Sequence, residues 1–190
     1  MMNYPWDAIV IGCSAGGIQA LKRLLSLLPE TFPVPIIIVQ HMGPDAGNFL
    51  ASYLNKHCAL MVMEAETEQQ PEPGKVYLAP ANYHLLIEDQ CSLSLCAGEK
   101  IAYARPSIDM LFESAADVFE EKLLGIILTG ANNDGTQGAL KIKAKNGIII
   151  AQDPEEAEIN IMPLSVIEVG AANHVLSLAN IAAFLKEPLS

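Results

Sequence analysis

Four short apolar runs, each cut off by glycine or a polar residue, constrain this chain more than any other feature. They read Ala8-Ile9-Val10-Ile11, Ile36-Ile37-Ile38-Val39, Leu124-Gly125-Ile126-Ile127-Leu128 and Ile148-Ile149-Ile150-Ala151. A strand with one wet face alternates apolar and polar residues, whereas an unbroken run is covered on both faces. Between the runs the period changes. Ile18, Leu21, Leu25 and Leu28 fall on one helical face before Pro29. A second helix is predicted over 46–56 and a further strand at Leu60-Met61-Val62-Met63. This alternation predicts an α/β fold, a doubly wound, mostly parallel sheet flanked by helices.

The middle of the chain reads differently. From about 64 to 105, Pro71, Pro73, Gly74, Pro80 and Gly98 separate the short pieces Val76-Tyr77-Leu78, His84-Leu85-Leu86-Ile87 and Leu93-Ser94-Leu95. These pieces predict an excursion of antiparallel hairpins over one end of the sheet. Alternation then resumes, with Ser107 as N-cap of a helix carrying Ile108, Leu111, Phe112, Ala115, Ala116 and Phe119 on its apolar face. Another helix is predicted over 136–145 with Gly147 as its stop, and the last over Leu178–Lys186. No repeat or linker interrupts the pattern, so the 190 residues are predicted to form one domain.

Composition excludes several functions. Twenty-two acidic against eleven basic side chains give a net charge of −11, which leaves no basic patch for nucleic acid. No run is long and apolar enough to predict membrane insertion, and the N-terminus lacks the positive region of a secretory signal. The expectation is a cytoplasmic protein. Cys13, Cys58, Cys91 and Cys96 have neither disulfide-scaffold density nor metal-ligand spacing, and the four histidines are scattered, so no metal site is expected.

In an open parallel sheet, ligands bind beyond the carboxyl ends of the strands. Gly12-Cys13-Ser14-Ala15-Gly16-Gly17 follows the first strand, and Gln40-His41 follows the second. Thr129-Gly130-Ala131-Asn132-Asn133-Asp134-Gly135 follows the strand at 124–128, and Gln152-Asp153 the one at 148–151. The first of these fits Gly-x-Ser-x-Gly in a strand–turn–helix context, where small neighbours let a serine stand clear of the sheet. The same turn could instead cradle a phosphate, although it matches neither standard phosphate-loop spacing. His41 alone could be a capping or core histidine, and Asp134 alone a turn residue or N-cap. Together, Ser14, His41 and Asp134 form a nucleophile, base and orienting acid delivered by three separate strand ends.

Several long motifs then resemble one family, the catalytic domain of the chemotaxis receptor methylesterases (CheB-type). They are 12–17, 35–42, 73–80 with His84, 105–112, 125–130 with Asp134-Gly135, 151–153 and Met162-Pro163, and together span about 7 to 185. The resemblance implies a serine hydrolase that removes methyl esters from glutamate side chains and deamidates glutamines. Its partners would be methyl-accepting chemotaxis receptor helices, and it would use no cofactor. It implies the triad Ser14, His41 and Asp134, and no attached receiver domain. Ala15, Ala131, Asn132 and Met162 become candidates for the oxyanion site or rim. Three positions depart from the family pattern: Ala15 stands for Thr, Ala131-Asn132 for Met-Gly, and Ile161 for Gly. These changes leave open a catalytically impaired receptor-binding module of the same fold. His84 and Arg105 are substrate-side candidates, with loop ordering and an internal salt bridge as their structural alternatives.

Overall fold

The computed structural model describes residues 4–43, 49–89, 91–101 and 104–187. β1 (Ala8–Cys13), β2 (Ile36–Gln40), β7 (Leu123–Ile127) and β8 (Ile148–Gln152) are the four apolar runs. With β3 (Met61–Glu64), β4 (Lys75–Leu78) and β9 (His174–Leu176) they form a parallel sheet of order β3-β4-β2-β1-β7-β8-β9. All six residues of β1 are buried. Ile9 and Ile11 enter one core with α1 (Gly17–Leu25), α2 (Phe49–Asn55) and α6 (Leu178–Lys186). Ala8 and Val10 enter the other with α3 (Ile108–Phe119), α4 (Thr136–Ala144) and α5 (Ile161–Glu168). Burial on both faces is what the unbroken run requires. Each large aliphatic side chain so buried contributes about 1.5–3 kcal/mol.

The middle of the chain corrects one expectation. Val76-Tyr77-Leu78 belongs to β4, a parallel strand between β2 and β3, rather than to an antiparallel hairpin. No helix separates β3 from β4, so the usual signal of a parallel crossover is missing there. The hairpin proper is β5 (His84–Ile87) with β6 (Leu93–Cys96), and it packs on α3. Residues 90, 102 and 103 of that stretch, and 46–48 of the expected second helix, lie outside the described residues. α5 and β9 were not predicted; β9 is a short, partly exposed edge strand with little apolar signature.

Two chain terminations show why local reading falls short. α4 stops through Asn146, whose φ of 65° places it in the left-handed region, while the Gly147 N–H reaches back to Ile142 O at 3.0 Å. Asn therefore takes the position expected of glycine, as it does in a minority of such stops. Ser107 occupies the N-cap position of α3, yet its hydroxyl makes no cap bond within the helix. That end of α3 is satisfied from elsewhere.

Candidate active site

Moving from β1, the chain reaches β2 on one side through α1, and later β7 on the other. β1 and β7 therefore flank the topological switch point, where a crevice opens beyond the strand ends. Ser14 leaves β1 there, and its N–H donates to Thr129 O beyond β7 at 3.0 Å. Gly16, at φ 78°, turns the chain into α1 in a conformation that suits glycine. The register Cys13↔Gln40 makes Ser14 and His41 the next residues of neighbouring parallel strands.

Asp134 arrives from the loop after β7 and is only 4% exposed. Its carboxylate accepts four hydrogen bonds. Oδ1 takes the Ser107 hydroxyl and the Asp109 N–H, both at 3.0 Å. Oδ2 takes the Ile108 N–H at 2.7 Å and faces His41 Nε2 at 2.8 Å. Four acceptor positions are all that a carboxylate offers. Burial pushes the Asp134 pKa up, but the His41 bond and the two backbone donors outweigh it and hold it below the ordinary value. The positive end of the α3 dipole acts in the same direction. An ionised Asp134 accepts, so His41 carries its proton on Nε2 and has its acceptor lone pair on Nδ1.

Other side chains brace the loops. Gln40 is buried; its Nε2 donates to Ser14 O at 2.9 Å and to His41 O at 2.8 Å, while its Oε1 accepts from the Cys13 thiol at 3.1 Å. It ties the two strand ends together. α1 starts so close to this amide that a Cβ on Gly17 would overlap Gln40 Oε1. Thr129 Oγ1 donates to Ala15 O at 2.9 Å and accepts the Ile159 N–H at 2.9 Å. Gln40 and Thr129 were not singled out from sequence. A glutamine ending an otherwise apolar buried strand is a signal, since a buried amide must find partners.

The remaining candidates divide. Ala15 is exposed beside Ser14, and Ala131 is exposed beyond β7. Neither the Ala15 nor the Gly16 N–H has a hydrogen-bond acceptor among the described residues, and the same holds for the Ala131 N–H. Asn132 is half-buried, with Nδ2 3.4 Å from His41 Nδ1. Met162 is not on the rim: it is fully buried, packed under the Gly130 turn, because the space beside that glycine holds its side chain.

His84 is not substrate-side either. It is 0% exposed, accepts the Ser107 N–H on Nδ1 at 3.1 Å, and donates from Nε2 to Glu99 O at 2.8 Å. Both ring nitrogens are used in holding Ser107, which in turn holds Asp134. Arg105 makes no ion pair with a carboxylate among the described residues. Its Nη1 donates to Ala97 O at 3.1 Å and Gly98 O at 2.6 Å, fastening the chain after β6. Asp153 accepts the Glu155 N–H at 2.9 Å in a local turn. All four cysteines are free, and burial pushes the Cys13 thiol well up, away from reactivity. Among the described residues, no helix is long and apolar enough to cross a membrane.

The CheB methylesterase family model matches residues 9–185. A Leptospira interrogans protein, provisionally named protein-glutamate methylesterase/protein-glutamine glutaminase, is 51% identical over 95% of this chain and 93% of its own length. The Thermotoga maritima protein-glutamate methylesterase/protein-glutamine glutaminase is 41% identical over 88% of this chain, which spans 50% of that longer protein. Protein-glutamate methylesterase FrzG of Myxococcus xanthus is 38% identical over 96% of this chain and 55% of its own length. The crystal structure of the Thermotoga maritima CheB methylesterase catalytic domain superposes with a TM-score of 0.91 at 39% identity, covering 95% of this chain and 97% of that one.

Proposed function

The chain belongs to the CheB methylesterase family, and on that premise we infer that it is a serine hydrolase acting on glutamate methyl esters and glutamine amides of methyl-accepting chemotaxis receptor helices, in the cytoplasm. The observation that carries this reading is the His41–Asp134 pair, which leaves one basic nitrogen at the strand end next to Ser14. In the familiar serine-protease arrangement the acid holds Nδ1 and the base is Nε2. Here Asp134 holds Nε2, so Nδ1 is the base.

Ser14 Oγ attacks the ester carbonyl while its proton passes to Nδ1. The oxyanion forms near the N–H groups of Ala15, Gly16 and Ala131, none of which has a partner among the described residues to surrender. The Met-to-Ala change at position 131 leaves that backbone donor in place. Collapse expels methanol, or ammonia from an amide, with His41 returning the proton. Water deprotonated by Nδ1 then hydrolyses the acyl-enzyme and leaves a glutamate side-chain carboxylate in either case. The reaction needs no cofactor.

The charge of −11 means that an acidic helical substrate gains no long-range attraction. Association should therefore quicken with added salt, and a steep fall in rate with salt would contradict the like-charge picture. The central test is methanol release from methylated receptor. Ser14→Ala should abolish it in folded protein, and undiminished release would remove Ser14 from the mechanism. The alternative, a binding module that retains the fold, is favoured by one observation, the Asn132 amide lying against the base. It predicts receptor binding without labelling by a fluorophosphonate.

A further inference from the structure

Asn132 is half-buried and its side chain lies against His41. Its orientation is fixed by a neighbour. Oδ1 accepts the Asp134 N–H at 3.1 Å, which turns the NH2 end toward His41 and leaves Nδ2 3.4 Å from Nδ1. An amide NH2 can only donate, and Nδ1 can only accept while Asp134 keeps the imidazole proton on Nε2. The contact is therefore a hydrogen bond given to the lone pair that must take the Ser14 proton. Ser14 Oγ, by contrast, has no hydrogen-bond partner among the described residues. An imidazole nitrogen offers one in-plane lone pair, so Asn132 and Ser14 compete for it.

We propose that Asn132 is a latch on the catalytic base: in the resting site it occupies His41 Nδ1 and must swing away before Ser14 can be deprotonated. The inference rests on the triad reading above, and Asn132 acts through His41 as a positioning residue. The distance matters. At 3.4 Å the bond is long for this type and weaker than the 2.8 Å Asp134 bond on the other nitrogen. A bound substrate can displace it without disturbing the tautomer. Asp134 sets which nitrogen is the base, and Asn132 sets whether that base is available.

The test uses the full chain and two readouts. One is the rate of fluorophosphonate labelling, with Ser14→Ala as the unlabelled control. The other is the 15N spectrum of the His41 imidazole. Asn132→Gly and Asn132→Ala both remove the donor, and the second guards against a backbone effect of glycine. Both should label about two- to fivefold faster than wild type, the gain expected from freeing one weak neutral hydrogen bond. Their Nδ1 resonance should move downfield, toward an imine nitrogen without a donor. Asn132→Asp should go the other way: a second carboxylate draws a proton onto Nδ1, and labelling should nearly vanish. Folded Gly and Ala variants that label no faster overturn the latch, as does an unmoved Nδ1 resonance. If wild type and all variants fail to label, while the wild-type Nδ1 resonance is that of a hydrogen-bonded acceptor, the triad reading itself falls and the latch with it.

Discussion

Two helices aim their N-termini at the same crevice, and they are finished in opposite ways. α3 is closed by Asp134, a carboxylate borrowed from the loop after β7, which takes the N–H groups of Ile108 and Asp109. α1 has no side-chain cap and no acidic residue in its first turn, and the N–H groups of Ala15 and Gly16 just before it have no acceptor among the described residues. Orphan donors at a helix start attract negative charge. α3 uses this attraction for an anion present at all times, the partner of His41. In the proposed mechanism, α1 keeps it for one that exists only during the reaction.

That contrast can be broken from either side. The largest effect should come from Asp134→Asn. The amide cannot accept from all four donors, and it no longer imposes the Nε2 proton. Turnover should fall about a thousandfold or more, with about 2–3 kcal/mol lost in urea unfolding. Retained activity would mean that the closed end of α3 has nothing to do with the base. Ser107→Ala removes one of the four bonds and should cost about tenfold in kcat with about 1 kcal/mol of stability. Gln19→Glu attacks the open end instead, by adding a carboxylate to the first turn of α1. The helix should gain a few tenths of a kcal/mol while kcat drops several-fold, so stability and activity move apart. If both rise together, the open end is not reserved for an anion.

Acid titration sharpens the same comparison with smaller effects. Asp134 has a lowered folded-state pKa, so its contribution is present above about pH 4 and is lost as the pH falls through the lowered value. Asp109, in the first turn of α3, goes the opposite way. Burial pushes its pKa up to about 6, the charges of Asp134 and Glu113 add to this, and the N–H groups of Gly138 and Gly135 oppose it. Its favourable contribution, present below about pH 4, is therefore lost as the pH rises through about 6. Asp109→Asn should stabilise the protein at pH 8 by about 1 kcal/mol, a figure reduced for partial solvation, and by almost nothing at pH 4. Equal urea midpoints for variant and wild type at pH 8 would show that burial does not penalise the charged form of Asp109.

The readable parts of this molecule were those whose physics is local. Runs such as Ile36-Ile37-Ile38-Val39 announce a strand covered on both faces, and the residues after each strand announce the crevice. Ser14, His41 and Asp134 could be picked out because three strand ends each supplied one chemically suitable group. What failed was everything decided by a distant partner. Ser107 looks like the cap of its own helix, yet its hydroxyl turns to Asp134. His84 and Arg105 look available for substrate, but one buttresses Ser107 and the other clasps the carbonyls of Ala97 and Gly98. Met162 belongs to a rim motif but fills the space beneath Gly130. β4 was misread because a parallel neighbour joined without a helix resembles a hairpin in sequence.

Gln40 has one further consequence. Because a single buried amide holds both the Ser14 turn and the His41 carbonyl, and because both residues extend fully buried central strands, neither can loosen alone. Local openings in a protein start where backbone is exposed and contacts are few. Here the reacting groups are rooted at the opposite extreme. Heating or denaturant should leave catalysis intact until the sheet itself comes apart, so that loss of turnover and loss of ellipticity share one midpoint.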